Sequence, residues 1–140
     1  MITFRPAKNL ASAAELTFAN MRSYYEQYSV GWDIVQIEKM TRDLTNFDIL
    51  FKGEPVGVIR LSFDDEGCHL RDLQVDERYQ GRGIGSQALA ETERLAREAD
   101  APTIRLKVFK NSHAVRLYQR TGFSMSSEDD RFYYMVCFIC

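Results

Sequence analysis

The sequence predicts an α/β fold with a mixed sheet. Three observations carry that expectation. Apolar residues recur at helical spacing in several separate stretches. Between these lie short runs rich in Val, Ile, Leu and Phe that read as strands. The resulting order, β-α-α-β-β-β-α-β-α-β-β, alternates the two in the manner of helices packed on a sheet.

The elements follow in order. Residues 2–7 alternate and then meet Pro6, which suggests a short first strand. From Asn9 to Tyr28, Leu10, Ala13, Ala14, Thr17, Phe18, Met21 and Tyr25 keep a helical phase, with Asn9 or Ser12 as cap. Ser29, Val30 and Gly31 break it. Asp33 can cap a second helix to about residue 44, with Ile34, Ile37, Met40 and Thr41 inward. Residues 48–63 read as a hairpin turning at 52–55, where Lys, Gly, Glu and Pro stand together. A polar turn at 64–67 leads into a third strand, 68–75. Leu70, Asp72, Leu73 and Val75 do not hold one alternation, and a bulge near 71–74 would explain the slip. A long helix then runs to about Asp100 on a stripe of Ile84, Ala88, Leu89, Thr92, Leu95, Ala96 and Ala99. Pro102 ends it. A strand at 103–108, a helix from Asn111 to Thr121 and two closing strands, about 123–126 and 131–139, complete the chain.

Composition bounds the function. The chain of 140 residues suits one domain, 1–140, with a substantial core. A net charge of −2 and no basic run argue against nucleic-acid binding. No apolar stretch approaches the roughly 20 residues of a membrane span. The N-terminus lacks a basic-then-apolar signal pattern, so a cytoplasmic location is expected. Cys68, Cys137 and Cys140 are odd in number and suit free thiols. Cys137 and Cys140 have redox spacing but lie in an extended run, not at a helix start. With Cys68 and His69 they would complete a zinc set only across different strands, so no metal is expected.

The most informative stretch is 73–86. It reads as strand, turn, glycine-rich loop and helix start, with Gly81, Gly83 and Gly85 alternating with Arg82 and Ile84. A helix N-terminus leaves about four backbone N–H groups without intrahelical partners. Their partial positive charge favours an anion, and glycines let the backbone lie close to a bulky one such as a pyrophosphate. No Walker pattern is present. The dinucleotide pattern fails because Ser86 stands where its third glycine belongs, which disfavours an NADP-binding domain.

The surrounding residues resemble the GCN5-related N-acetyltransferase (GNAT) family. Gln80, Gly81, Arg82, Gly83, Ile84 and Gly85 meet its Gln/Arg-x-x-Gly-x-Gly/Ala signature. Asn111, Ala114, Leu117, Tyr118, Gly122 and Phe123 meet its second block, at the expected separation. The resemblance covers 73–123 most closely. It implies a mixed, mostly antiparallel central sheet of roughly six to seven strands. About four helices would flank the sheet, which would splay between its fourth and fifth strands to admit the cofactor.

The implied activity is transfer of an acetyl group from acetyl-CoA to a primary amine of a small molecule or peptide, by direct attack. The N–H groups of Gly81, Arg82, Gly83, Ile84, Gly85 and Ser86 would hold the pyrophosphate, with Gln80 closing the loop. The edge of Leu73, Gln74 and Val75 would pair with the pantetheine, and the Val75 N–H would face the thioester carbonyl. Asn111, as both cap and ligand, and Ala114 would lie along the same arm. Tyr118, with a phenol pKa near 10, stays protonated and is the proposed acid for the leaving thiolate. Asp72 is the first candidate base. Glu26, Asp33, Glu38 and His69 are others. Tyr28 and Trp32 can line the acceptor pocket or pack in the core. The competing reading is a catalytically idle acyl-CoA-binding module. The apolar last strand, 135–139, could serve as a homodimer edge or equally be ordinary core.

Overall fold

A computed structural model describes residues 1–139. The strands are β1 (Ile2–Pro6), β2 (Thr45–Phe51), β3 (Glu54–Asp64), β4 (Gly67–Val75), β5 (Thr103–Phe109), β6 (Ser124–Glu128) and β7 (Phe132–Phe138). The α-helices are α1 (Leu10–Gln27), α2 (Ile34–Thr41), α3 (Ile84–Glu98) and α4 (Ala114–Arg120). The seven strands hydrogen-bond in the order β1-β2-β3-β4-β5-β7-β6. The sheet is mostly antiparallel, and β4 and β5 run parallel with Cys68 opposite Ile104 and His69 opposite Arg105. The α/β class, the strand number and the four helices are those the sequence predicts.

The chain forms two compact units, residues 1–60 with 72–85, and residues 61–71 with 86 onward. In the first, Asn9 Oδ1 accepts from the Ser12 N–H at 3.0 Å and starts α1. Asp33 Oδ1 accepts from the Gln36 N–H at 2.8 Å and starts α2. Such caps satisfy donors that a helix start otherwise leaves unmatched. The β2–β3 turn is tight: Lys52 and Gly53 both take positive φ, +52° and +82°, as a two-residue turn of this hand requires. Ile49, Val56, Val58 and Ile59 are buried in this unit.

The second unit buries Leu61, Cys68, Leu70, Ala88, Ala96, Ile104, Leu106, Phe123 and Met135. Thr92 is fully buried, its hydroxyl donating to Ala88 O at 2.9 Å, so a polar residue fits the inner stripe of α3. Ala99 departs from the expected stripe; it lies past the end of α3 and is exposed. Of the two readings open for the last strand, the structure fits ordinary core rather than an edge. β7 is flanked by β5 and β6, and Met135 and Val136 are buried, so its backbone groups are already paired within the chain.

Candidate active site

The glycine loop follows a single turn of 3-10 helix, Glu77–Tyr79, whose start is held by Asp76. Asp76 Oδ1 accepts from the Arg78 N–H at 3.0 Å, and the Arg78 guanidinium holds the Asp76 carboxyl below the usual range. Gly81 and Gly83 then take φ of +76° and +82°. Alternating backbone hands turn successive N–H groups toward one side, the concave arrangement that binds anions. No atom lies within 4 Å of where a Cβ would stand on either glycine. The loop thus offers an open face against which a bulky phosphate can rest, so these residues fit a pyrophosphate-bearing substrate. Ile84 is buried and anchors the first turn of α3, while Ser86 is exposed.

Two contacts fix the loop to its unit. Gln80 Nε2 donates to the Val75 carbonyl at 2.9 Å, closing the loop onto the end of β4. The Arg82 guanidinium stands 5.2 Å from the Tyr79 ring centroid, and Tyr79 in turn packs against Phe51 at 5.7 Å. Arg82 is therefore steered by a cation–π contact rather than left wholly to solvent.

The end of β4 differs most from the sequence reading. Cys68, Leu70 and Gln74 are buried at alternate positions, so burial along the strand holds one phase. The hydrophobic pattern slips because Asp72 and Gln74 occupy the inward phase, while Leu73 and Val75 are only half-buried. Arg60 explains those polar residues. It is 1% exposed and its Nη1 pairs with Asp72 Oδ2 at 2.5 Å. The same nitrogen donates to Thr17 Oγ1 at 2.8 Å, and Nε donates to Asn46 Oδ1 at 2.9 Å. The other Asp72 oxygen accepts from Gln74 Nε2 at 2.7 Å. Asn20 Nδ2 then reaches Gln74 Oε1 at 3.1 Å and the Val75 carbonyl at 2.8 Å. Burial, then the Asp72 charge, push the nearby Tyr25 phenol above its ordinary range.

Arg60, Asn20 and Asn46 have no place in the sequence reading, and Thr17 enters it only as part of the α1 stripe. The available signal was Asp72 and Gln74 two apart on a strand phase that should be apolar. Buried polar groups need partners, and an arginine inside the apolar run of β3 was the only basic residue of that strand.

Around α4 one expectation is corrected. Asn111 lies before α4 rather than at its cap position, so it does not share a helix face with Ala114 and Tyr118. The chain spends residues 110–113 turning away from β5, with the Ser112 N–H bonded to Phe109 O at 3.0 Å. The cap position is His113, and Ser112 Oγ accepts from the Ala114 N–H at 3.1 Å. Asn111 is exposed in the turn before α4. Ala114 and Tyr118 do stand one turn apart on the helix. Tyr118 is 6% exposed and meets the Phe123 ring edge-on at 5.7 Å. In the same unit Ser86, Ala90, Glu93, Thr121, Phe123 and Cys137 line a shallow groove of about 240 Å³.

The remaining candidates are dispersed. Glu26 pairs with Arg22 on the exposed side of α1 at 3.1 Å, and Asp33 is spent on its cap. Glu38 is half-buried on α2. His69 Nε2 lies 2.9 Å from Asp64 Oδ2 and holds the Asp64 carboxyl below its usual range. Tyr25 is core, and Trp32, 38% exposed, packs edge-on over it at 5.5 Å. Tyr28 is half-buried. Burial pushes the Cys68 thiol up to about 11, which leaves it an inert core group. Cys140 lies outside the described residues. Among those described, no group of three or more His, Cys, Asp or Glu side chains stands together as a metal site. No described helix is long and apolar enough to cross a membrane.

Comparison with known proteins bears on this arrangement. The chain is 47% identical over 58 residues to a spermine/spermidine N(1)-acetyltransferase of Bacillus subtilis (strain 168). That match takes in 40% of this chain and 38% of the relative, so the chain spans well under half of that relative's length. Among solved structures it is similar to PaiA N-acetyltransferase from Thermoplasma acidophilum in complex with coenzyme A. There the TM-score is 0.73 at 19% identity, over 99% of each chain. It is also similar to the ribosomal-protein-S18-alanine N-acetyltransferase of Escherichia coli, with a TM-score of 0.74 at 18% identity. That match covers 99% of this chain and 94% of the other. These structural likenesses carry the fold. A model of the acetyltransferase (GNAT) family matches residues 13–123, and with the glycine loop and the α4 block both inside that span, the chain belongs to this family.

Proposed function

We propose that residues 1–140 act as one acetyltransferase domain that moves an acetyl group from acetyl-CoA to a primary amine. The observation that carries this reading is the open glycine loop at the head of α3, with positive φ at Gly81 and Gly83, in a chain of this family. The N–H groups of Gly81 to Ser86 bind the pyrophosphate, and the edge of Leu73, Gln74 and Val75 receives the pantetheine. Because the Val75 carbonyl already accepts from Asn20 and Gln80, the N–H groups of this edge carry more of the pairing. Asn111 and Ala114 border the same arm.

In the reaction, the lone pair of the unprotonated amine attacks the thioester carbonyl carbon. The carbonyl electrons move onto oxygen, where the Val75 N–H stabilises the charge; a fixed donor of this kind supplies several kcal/mol, about 3 in measured cases. Collapse breaks the carbon–sulfur bond, and Tyr118 gives its proton to the departing thiolate. The amine nitrogen, which begins near pKa 10.4 when lysine-like, loses its protons to a base. Asp72 was the first sequence candidate for that base, but both of its oxygens already accept, from Arg60 and from Gln74. We therefore assign Asp72 to holding Arg60, and the proton goes to water or to a carboxylate of α1 or α2.

Polyamines are the first acceptors to test, since the curated relative is a spermine/spermidine acetyltransferase. The chain is incubated with acetyl-CoA and a panel of spermidine, spermine, aminoglycosides and peptides, and products are read by mass. A mass gain of one acetyl group on any amine, with stoichiometric free thiol, supports transfer. Binding of acetyl-CoA with no acetylated product would favour an idle acyl-CoA-binding module instead.

A further inference from the structure

Arg60 has no part in the chemistry outlined above, yet it is the largest fully buried side chain described. A buried ion pair is an expensive way to fill a core, because apolar residues of similar volume often do as well or better. Its connections suggest what it does instead. From Arg60 the bonds run to Asp72 Oδ2, from Asp72 Oδ1 to Gln74 Nε2, and from Gln74 Oε1 to Asn20 Nδ2. They end on the Val75 carbonyl, which Asn20 holds at 2.8 Å and Gln80 at 2.9 Å. The other side of that peptide, the Asp76 N–H, donates to Val56 O at 2.7 Å. Arg60 also grips α1 through Thr17 and the start of β2 through Asn46, so the chain of bonds is braced at both ends.

We infer that Arg60 is a positioning residue: through Asp72, Gln74 and Asn20 it fixes the Val75–Asp76 peptide at the end of β4, the strand edge along which the acyl donor is to lie. The functional half of this rests on the acetyltransferase reading; the structural half does not. Each link is a side-chain hydrogen bond with both groups taken, and such networks specify one arrangement more strictly than apolar packing does. A reacting carbonyl about 1 Å out of place can cost roughly 100-fold in rate, so rigidity at this peptide has a use.

Two variants test it. Asn20→Ala cuts the last link and lies on the half-buried side of α1. Arg60→Met with Asp72→Leu removes both charges together, which avoids stranding one of them. Amide hydrogen exchange is followed by NMR, and acetyl transfer to the best amine from the panel is measured across pH. The expected result is faster exchange at the Asp76 amide, by about 10-fold or more, while the β1–β2 ladder stays protected. The kcat falls by about 10-fold or more with the shape of the pH profile kept, since no titrating catalyst has been removed. Unchanged Asp76 exchange in both variants would overturn the inference, as would a uniform rise across all amides. Loss of the acidic limb of the profile in the double variant would overturn it too, by making Asp72 the base. Local exchange that rises in a protein without acetyl-CoA turnover would retain the positioning of this peptide and discard the acetyltransferase reading instead.

Discussion

A Cβ added to Gly57 would stand 2.4 Å from the carbonyl oxygen of Gln74 and 3.3 Å from the Val75 Cα. Both are backbone atoms, which cannot swing aside as a side chain would. The close approach belongs to the same strand end that Asn20 and Gln80 hold. Gly57→Ala should therefore push β3 from the end of β4 and lower stability by about 1–3 kcal/mol. Urea denaturation checks this. An unchanged midpoint would mean that the strand end yields easily and is not tightly held.

At the loop, Gly83→Asp should abolish acetyl-CoA binding by placing a carboxylate against the pyrophosphate. Because Gly83 has φ of +82°, any side chain there strains the backbone. Gly83→Ala is the matched control, carrying the strain without the charge. Binding is read by calorimetry. Equal affinities for the two variants would place the anion elsewhere.

Tyr118→Phe should preserve the packing against Phe123 and the affinity for acetyl-CoA. Turnover should fall roughly 10²-fold if the phenol protonates the leaving thiolate. Steady-state kinetics with melting curves decide it; equal rates would leave Tyr118 as a core residue only.

Cys68 gives a prediction in pH. Its folded thiol is pushed from 9.0 up to about 11 by burial. The neutral form is the one the fold accepts, so the stabilisation is fully present below the unfolded pKa. It is lost as pH rises from about 9 through about 11. The Tyr25 phenol, also raised, adds to the loss at the alkaline end. Cys68→Ala should flatten the fall in stability over that window. Denaturation midpoints at several pH values measure it, and an identical slope in the variant would contradict the assignment.

Local signals in the sequence reached a long way toward this fold. Asn9 and Asp33 announce their helices because short polar side chains satisfy helix-start donors, and both do so in the structure. Gly81 and Gly83 announce the loop because positive φ is easy only for glycine. What the sequence hid depends on partners far apart along the chain. Arg60 reads as an interruption of an apolar strand until Asp72 is placed beside it. Asp72 reads as a free carboxylate, and hence a base, until Arg60 is seen to hold it. Asn111 was misplaced for a local reason: a turn was needed between β5 and α4, and it consumed the residues assigned to the first helical turn.

The central claim is that the loop at 80–86 binds the pyrophosphate of a coenzyme A ester, and a thermal-shift titration tests it most directly. Acetyl-CoA, CoA and NADPH are compared side by side. A ligand that binds the native state raises its melting temperature by mass action, by an amount that grows with concentration. The account predicts a rise with acetyl-CoA and CoA, none with NADPH, and loss of the rise in Gly83→Asp. No rise with either coenzyme A species, or a rise with NADPH, would contradict it.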